Sequence, residues 1–176
     1  MPTSAGVATP HPDLSVFVDT VYYRVAGSTA DELRVQMDRS RPGNFDAHTE
    51  WYVSWSYPYS EAEGSCTTGP VTISVNITFT LPQWNTPANA SEDLVDRWNA
   101  YLAALQVHED GHKGIGIEAA NEILQAMNAL PAYRFCEELK QAADAAGERV
   151  LSEYRQREAI YDQTTNHGAT QGARFP

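Results

Sequence analysis

The residues best suited to chemistry are His108, Glu109 and His112, within the segment HEDGH. Two histidines four positions apart on a helix lie on one face, because roughly 3.6 residues complete a turn. Both imidazoles can then bind one metal ion, and the glutamate can take a proton from an attacking water without binding the metal. This is the H-E-x-x-H pattern of zinc peptidases. It predicts one zinc ion (Zn²⁺) per chain, with Glu109 as general base, although the histidines of a metal-free helix can also fill its buried stripe.

A long helix must position this segment. Ser91 is a favourable N-cap, acidic residues suit the first turn, and no proline follows until Pro131. Apolar residues recur every three or four positions in register with both histidines: Leu94, Trp98, Tyr101, Leu102, Leu105, Ile115, Ala119, Ile123 and Met127. Three glycines near the motif disfavour a helix, so we expect another element or a substrate to approach the backbone there: Gly111, Gly114 and Gly116.

The remaining elements predict an α+β fold. A capping box at Thr29 and Glu32 begins a short helix that ends near Ser40, and a second long helix runs from about Phe135 to Ile160. Strands are predicted at 16–25, 51–57 and 71–80, the last from alternation of apolar and polar residues. With a polar connection at 58–69, they are expected to form a small antiparallel sheet packed on the two long helices. We expect one domain at 15–168, a flexible lead-in at 1–14 and a C-terminal tail at 169–176.

Composition limits the classes of function. The chain has 176 residues, 42% hydrophobic and 20% charged, which is typical of one soluble domain. A net charge of −11, with 12 Lys and Arg, argues against nucleic acid and anionic membranes as partners. No apolar run approaches the roughly 20 residues of a membrane span, and we expect that any export leader has been removed.

The two cysteines, Cys66 and Cys136, lack the short spacing of a metal or redox pair. They form either a disulfide or two buried thiols, and we favour the disulfide. A bridge closing this loop would stabilise the chain by about 4 kcal/mol and would indicate an oxidising compartment.

The chain resembles a bacterial family of predicted secreted zinc-dependent proteases, catalogued as domain of unknown function 922. The resemblance rests on HEDGH, the strand TEWYVSWSY, the two cysteines and the closing segment YDQTTNHG at 161–168. It spans about residue 15 to residue 168. It implies a zincin-like fold, a metal site and a secreted or periplasmic protein.

A catalytic zinc ion usually has three protein ligands, so one more must be found. His167, in the closing segment, would complete a three-histidine set and is our first candidate, with Asp162 of the same segment as an alternative. Glu118 lies where one class of zinc peptidases has its third ligand, but a continuous helix would carry it about 9 Å beyond His112. A glutamate of the second helix, Glu148 or Glu153, also stays open.

These residues predict a metallopeptidase that acts on a peptide or protein substrate. Glu109 would take the proton from water and pass it to the leaving amine, and Tyr161 is our candidate donor to the oxyanion. Substrate could pair with a free sheet edge. The alternative is a non-catalytic, zinc-stabilised binding or structural module of the cell envelope, in which four protein ligands saturate the metal. The number of copies in the assembly stays open.

Overall fold

The computed structural model describes residues 13–175. In chain order its elements are β1 (Leu14–Val25), α1 (Ala30–Ser40), β2 (His48–Ser56), β3 (Tyr59–Ala62), β4 (Ser65–Thr68), β5 (Thr72–Trp84), α2 (Glu92–Asn128) and α3 (Cys136–Thr165), followed by a 3₁₀ turn at Ala169–Gln171. The predicted α+β class is confirmed. Most of the expected flexible lead-in, residues 1–12, lies outside the described part of the chain.

The main sheet has three strands in the order β1-β5-β2. Strand β2 pairs antiparallel with β5, as expected, but β1 pairs with β5 in parallel, from Leu14 opposite Ile73 to Val25 opposite Trp84. The prediction of a purely antiparallel sheet was therefore wrong. Alternating apolar residues show which face of a strand is buried, but they do not determine the direction of its neighbour.

The extent of the strands also differs from the prediction: β1 begins at Leu14 and not at residue 16, and β2 covers His48–Ser56 and not 51–57. Strand β5 continues through Pro82 to Trp84. Proline has no backbone N–H, but the pairing of β5 with β2 ends at Thr80, so Pro82 leaves no hydrogen bond to β2 unmade. The polar connection 58–69 contains the β3–β4 hairpin, which was not predicted from the sequence. Residues Glu63 and Gly64 make its turn with positive φ angles of 52° and 74°.

The core lies between the sheet and helix α2. Inward-facing residues of β5 include Ile73, Val75, Ile77 and Phe79, which are at most 4% exposed. Helix α2 places its predicted stripe against them, and the Ser91 side chain accepts from the backbone N–H of Leu94 at its N-terminus. Helix α1 begins with the predicted capping box at Thr29 and Glu32. None of the helices within 13–175 is long and apolar enough to cross a membrane.

Helix α3 ends at Thr165, five residues later than the predicted Ile160, so the first part of the closing segment is helical and not a loop. Its Tyr154 is only 4% exposed. The bridge Cys66–Cys136 is present, with a Cα–Cα distance of 5.1 Å, and joins the β3–β4 hairpin to the first residue of α3. The expected C-terminal tail also packs on the domain, since Phe175 is 8% exposed.

Candidate metal centre

Three side chains, His108, His112 and Asp162, bring ligand atoms within 4.8 Å of one another, so they can hold a metal ion. Oδ1 of Asp162 lies 3.0 Å from Nε2 of His112 and 3.3 Å from Nε2 of His108. In a tetrahedral site with bonds of 2.0–2.1 Å, neighbouring ligand atoms are about 3.3 Å apart. The donor set and its spacing therefore fit a divalent cation.

Packing of α3 against α2 assembles this group. The histidines are 4% and 7% exposed on the buried stripe of α2, while Asp162 comes from the last turn of α3. Gly111 allows the close approach: a Cβ there would lie 2.1 Å from the Tyr161 hydroxyl. Gly116 similarly accommodates Trp51, at 2.7 Å from its ring, whereas a Cβ on Gly114 would meet nothing within 4 Å. Two of the three glycines thus confirm the expected close approach.

The orientation of His112 is fixed by Glu158, which lies one turn before Asp162 on α3. The Nδ1 of His112 lies 3.2 Å from Oε1 of Glu158, and the Trp51 indole N–H donates to the same oxygen at 2.6 Å. In a metal-bound site Nδ1 would donate its proton to this carboxylate, and the lone pair of Nε2, which lies 3.0 Å from Oδ1 of Asp162, would face the metal.

His108 is oriented by an amide. Its Nδ1 lies 3.0 Å from Oε1 of Gln171. The Nε2 of Gln171 donates to the Tyr161 hydroxyl at 3.1 Å, and that hydroxyl donates to the backbone carbonyl of His108 at 3.1 Å. Nδ1 is thus the donor to the amide oxygen, and Nε2 of this histidine also faces the metal position.

The charge around the two imidazoles favours a cation. Burial by itself lowers the pKa of His112, but the hydrogen bond to Glu158 and the charge of Asp162 outweigh burial, so this pKa lies above the usual histidine value. With Glu109, three carboxylates surround two imidazoles. A divalent ion would neutralise most of this negative charge.

Glu109 is 2% exposed and its carboxylate accepts a hydrogen bond from the Thr49 hydroxyl of β2. Burial raises the pKa of Glu109 above the usual range, although this hydrogen bond and the two histidines lower it. The residue lines the same cleft as His108, His112 and Asp162. Its position is therefore compatible with a general base, the predicted role.

His167 lies beside this group. Its Nδ1 is 3.5 Å from Oδ1 of Asp162, its side chain is 45% exposed, and its ring stacks on Phe45 at 4.3 Å between centroids. Asn166, His167 and Gly168 have positive φ angles of 49°, 50° and 80°, a reversal that is costly for the first two. The geometry favours Asp162, our alternative, as third ligand, and a metal contact by His167 stays a prediction.

The other candidate ligands lie apart from the group. Helix α2 is unbroken through Glu118, whose charge acts on Tyr154 of α3. Glu148 lines a different groove, and Glu153 pairs with Arg157 on the surface. Tyr161, the predicted oxyanion donor, stacks on the His108 ring at 5.1 Å and donates to backbone. It is absent from the residues that line the cleft, so its catalytic role stays a prediction.

The cleft over the metal position has a volume of about 330 Å³, and the loop between α1 and β2 forms one wall. Asp46 holds this loop. Its two carboxylate oxygens accept from Arg34 at 2.6 and 2.7 Å, and Arg41 and Tyr101 also donate to them. These bonds, chiefly that of Arg34, outweigh burial and keep the pKa of Asp46 below its usual range.

Sequence reasoning missed four residues that support the site: Thr49, Trp51, Glu158 and Gln171. Glu158, Asp162 and Thr165 are spaced four and three apart, a helical face that would have identified Glu158 if the second helix had been extended past Ile160. Thr49 and Trp51 carried no comparable signal, since their partners lie on α2 and α3.

Comparison with known proteins gives one match. The sequence model of a family described as "Bacterial protein of unknown function (DUF922)" matches residues 20–168. The chain belongs to this family. No curated protein matches it, and no solved structure does. Members of the DUF922 family have no function in their description, so the family assignment leaves the activity to be argued from the site.

Proposed function

We propose that this DUF922 protein is a zinc-dependent peptidase. One observation carries the proposal: His108 and His112 converge with Asp162 at the floor of an open cleft, and the buried carboxylate of Glu109 lines the same cleft. Three protein ligands leave one of the usual four zinc positions for water or substrate. A bound zinc ion would supply Lewis-acid chemistry at that position.

The residues of the chain have separate roles. Glu109 takes a proton from the attacking water and passes it to the leaving amine, and Thr49 holds its carboxylate in place. Glu158 and Gln171 keep the Nε2 atoms of His112 and His108 directed at the metal.

A groove beside the metal cleft supports an extended peptide as substrate. It has a volume of about 610 Å³ and is lined by six consecutive residues of β2, 48–53, opposite Leu151, Arg155 and Glu158 of α3. Strand β2 is an edge of the main sheet, so its outer N–H and C=O groups can pair with a peptide backbone. His48, Thr49 and Glu158 line both the groove and the metal cleft. A peptide paired to β2 would thus lead into the site.

The competing proposal is a non-catalytic zinc module of the cell envelope. The observation in its favour is His167, whose Nδ1 lies 3.5 Å from Asp162. A small shift would make His167 a fourth ligand, which would close the coordination sphere and leave no position for substrate. Under either proposal the disulfide is compatible with a secreted or periplasmic location.

The decisive experiment compares the parent with Glu109→Gln. Zinc content is measured by elemental analysis, and hydrolysis is measured on fluorescein-labelled casein and a mixture of unstructured peptides. We expect about one zinc ion in both proteins and at least a 100-fold loss of cleavage in the variant. Glu118→Gln, on the same helix but outside the site, is the control and should cleave normally. A Glu109→Gln protein as active as the parent would disprove the mechanism, and a zinc-loaded parent that cleaves nothing would favour the envelope module.

A further inference from the structure

The segment that follows the family match runs back along helix α2. Gly168 lies against the His108 ring, where a Cβ would be 3.0 Å from Cγ, and Gly172 lies against Ala104, at 3.5 Å from its Cβ. Phe175 then packs on Tyr101, 5.2 Å between ring centroids. Positions 108, 104 and 101 form one stripe of α2, so the segment covers about two turns of that helix. We call residues 169–175 the C-terminal clamp.

The clamp is anchored at its far end. Phe175 is 8% exposed and lies edge-on to Trp98, 5.3 Å between ring centroids. Its carbonyl accepts from Arg34 at 3.5 Å. Positive φ angles at Gly168 (80°) and Gly172 (98°) make the two turns that keep the clamp on the helix surface. The anchor therefore belongs to the core of the domain.

Near its start the clamp presents Gln171 to the metal ligand His108. The direction of the amide is forced: the Tyr161 hydroxyl donates to the His108 carbonyl, so its oxygen accepts from Nε2 of Gln171. Oε1 of Gln171 consequently faces Nδ1 of His108 at 3.0 Å. If this acceptor were lost, the Nδ1 proton would be held mainly by Thr165, whose Oγ1 lies farther away, at 3.4 Å.

We propose that the C-terminal clamp sets the metal affinity of the site, and that Gln171 is the positioning residue that holds His108 in its metal-binding tautomer. Gln171 acts on metal binding through His108 and does not line the cleft, whereas Ala169 and Ala173 of the clamp do. The inference rests on the metal-binding part of the proposed function and is independent of peptide cleavage.

The test measures zinc dissociation constants by competition with a chromophoric chelator, on the full chain. Gln171→Ala should weaken zinc binding by roughly 10- to 100-fold, as expected for loss of a group that orients a metal ligand. Gln171→Glu retains an acceptor for His108 and should bind within a few-fold of the parent. Gln163→Ala, an exposed glutamine of α3, is the matched control and should bind as the parent does.

A second readout separates positioning from packing. In zinc-free protein, ¹⁵N NMR should show His108 protonated at Nδ1 in the parent and in Gln171→Glu, and a mixture of tautomers in Gln171→Ala. Phe175→Ala, which touches no ligand, should lower zinc affinity in the same direction by releasing the anchor. If Phe175→Ala fails to fold, the zinc affinities and His108 tautomers of the two Gln171 variants test the proposal by themselves.

Parent-like affinity in Gln171→Ala would overturn the clamp, and so would Gln171→Glu binding as weakly as Gln171→Ala. A parent that binds no zinc would overturn the clamp together with the metal site. A parent that binds zinc tightly but cleaves no peptide would reject only the peptidase proposal, and the clamp would still be judged by the affinities of its variants.

Discussion

Trp51 of β2 and His112 of α2 share one acceptor, Oε1 of Glu158, at 2.6 and 3.2 Å. The edge strand that lines the groove beside the metal cleft is thus connected to a candidate metal ligand through a single carboxylate. A change at the strand can therefore alter the metal site without touching a ligand.

Trp51→Phe tests this connection. The variant retains an aromatic ring against Gly116 but loses the N–H donor to Glu158, so we expect a destabilisation of about 1 kcal/mol and a several-fold loss of zinc affinity. Urea unfolding and chelator competition measure the two effects. Trp55→Phe is the control, because Trp55 packs on Gly147, away from the ligand group. Equal zinc affinity in all three proteins would contradict the prediction.

The third ligand is decided by comparing Asp162→Ala with His167→Ala. Asp162 lies 3.0 and 3.3 Å from the two histidine Nε2 atoms, whereas His167 is 45% exposed and contacts only Asp162 among these residues. We expect Asp162→Ala to lower zinc affinity by at least 100-fold and His167→Ala by less than 10-fold. Elemental analysis after dialysis provides an independent measure of the zinc ions bound per chain. A larger loss of zinc affinity in His167→Ala than in Asp162→Ala would instead establish His108, His112 and His167 as the ligands.

Gly111 and Gly114, three positions apart on α2, should respond oppositely to alanine. A Cβ at Gly111 would overlap the Tyr161 side chain, so Gly111→Ala should destabilise by about 2–3 kcal/mol. Gly114 has open space, so Gly114→Ala should stabilise by up to about 1 kcal/mol through helix propensity. Thermal and urea unfolding measure both. Tyr161→Ala should partly rescue Gly111→Ala, and the absence of rescue would show that the clash lies elsewhere.

Asp46 should make stability depend on pH in the acid range. Its folded-state pKa is lowered, so its contribution is fully present above the unfolded value, about 3.9, and is lost as pH falls through the lower folded value. Asp46→Asn should cost about 3 kcal/mol at pH 7 and less at acid pH, where the cost shrinks as pH falls through the lowered folded-state pKa; urea unfolding measures both. Asp38→Asn, whose side chain is 47% exposed, should cost under about 1 kcal/mol at either pH. A pH-independent cost at Asp46 would contradict the assignment.

The sequence by itself determined the elements and half of the site. The N-cap at Ser91, the periodic stripe and the spacing of His108 and His112 are local properties of one helix, and local backbone geometry is enough to place both imidazoles on one face. The presence of only two cysteines likewise limited the disulfide to a single intramolecular pairing.

Only the tertiary structure decided the rest. Asp162 meets His112 across 50 residues of chain, and this contact depends on how α3 crosses α2, which side-chain periodicity does not encode. The parallel pairing of β1 with β5 and the contact of Gln171 with His108 likewise depend on packing between elements that are distant in the chain. Periodicity records which face of an element is buried. The partner that covers this face is selected by the packing of the whole domain, so the third ligand and the groups that orient the histidines emerged only from the folded chain.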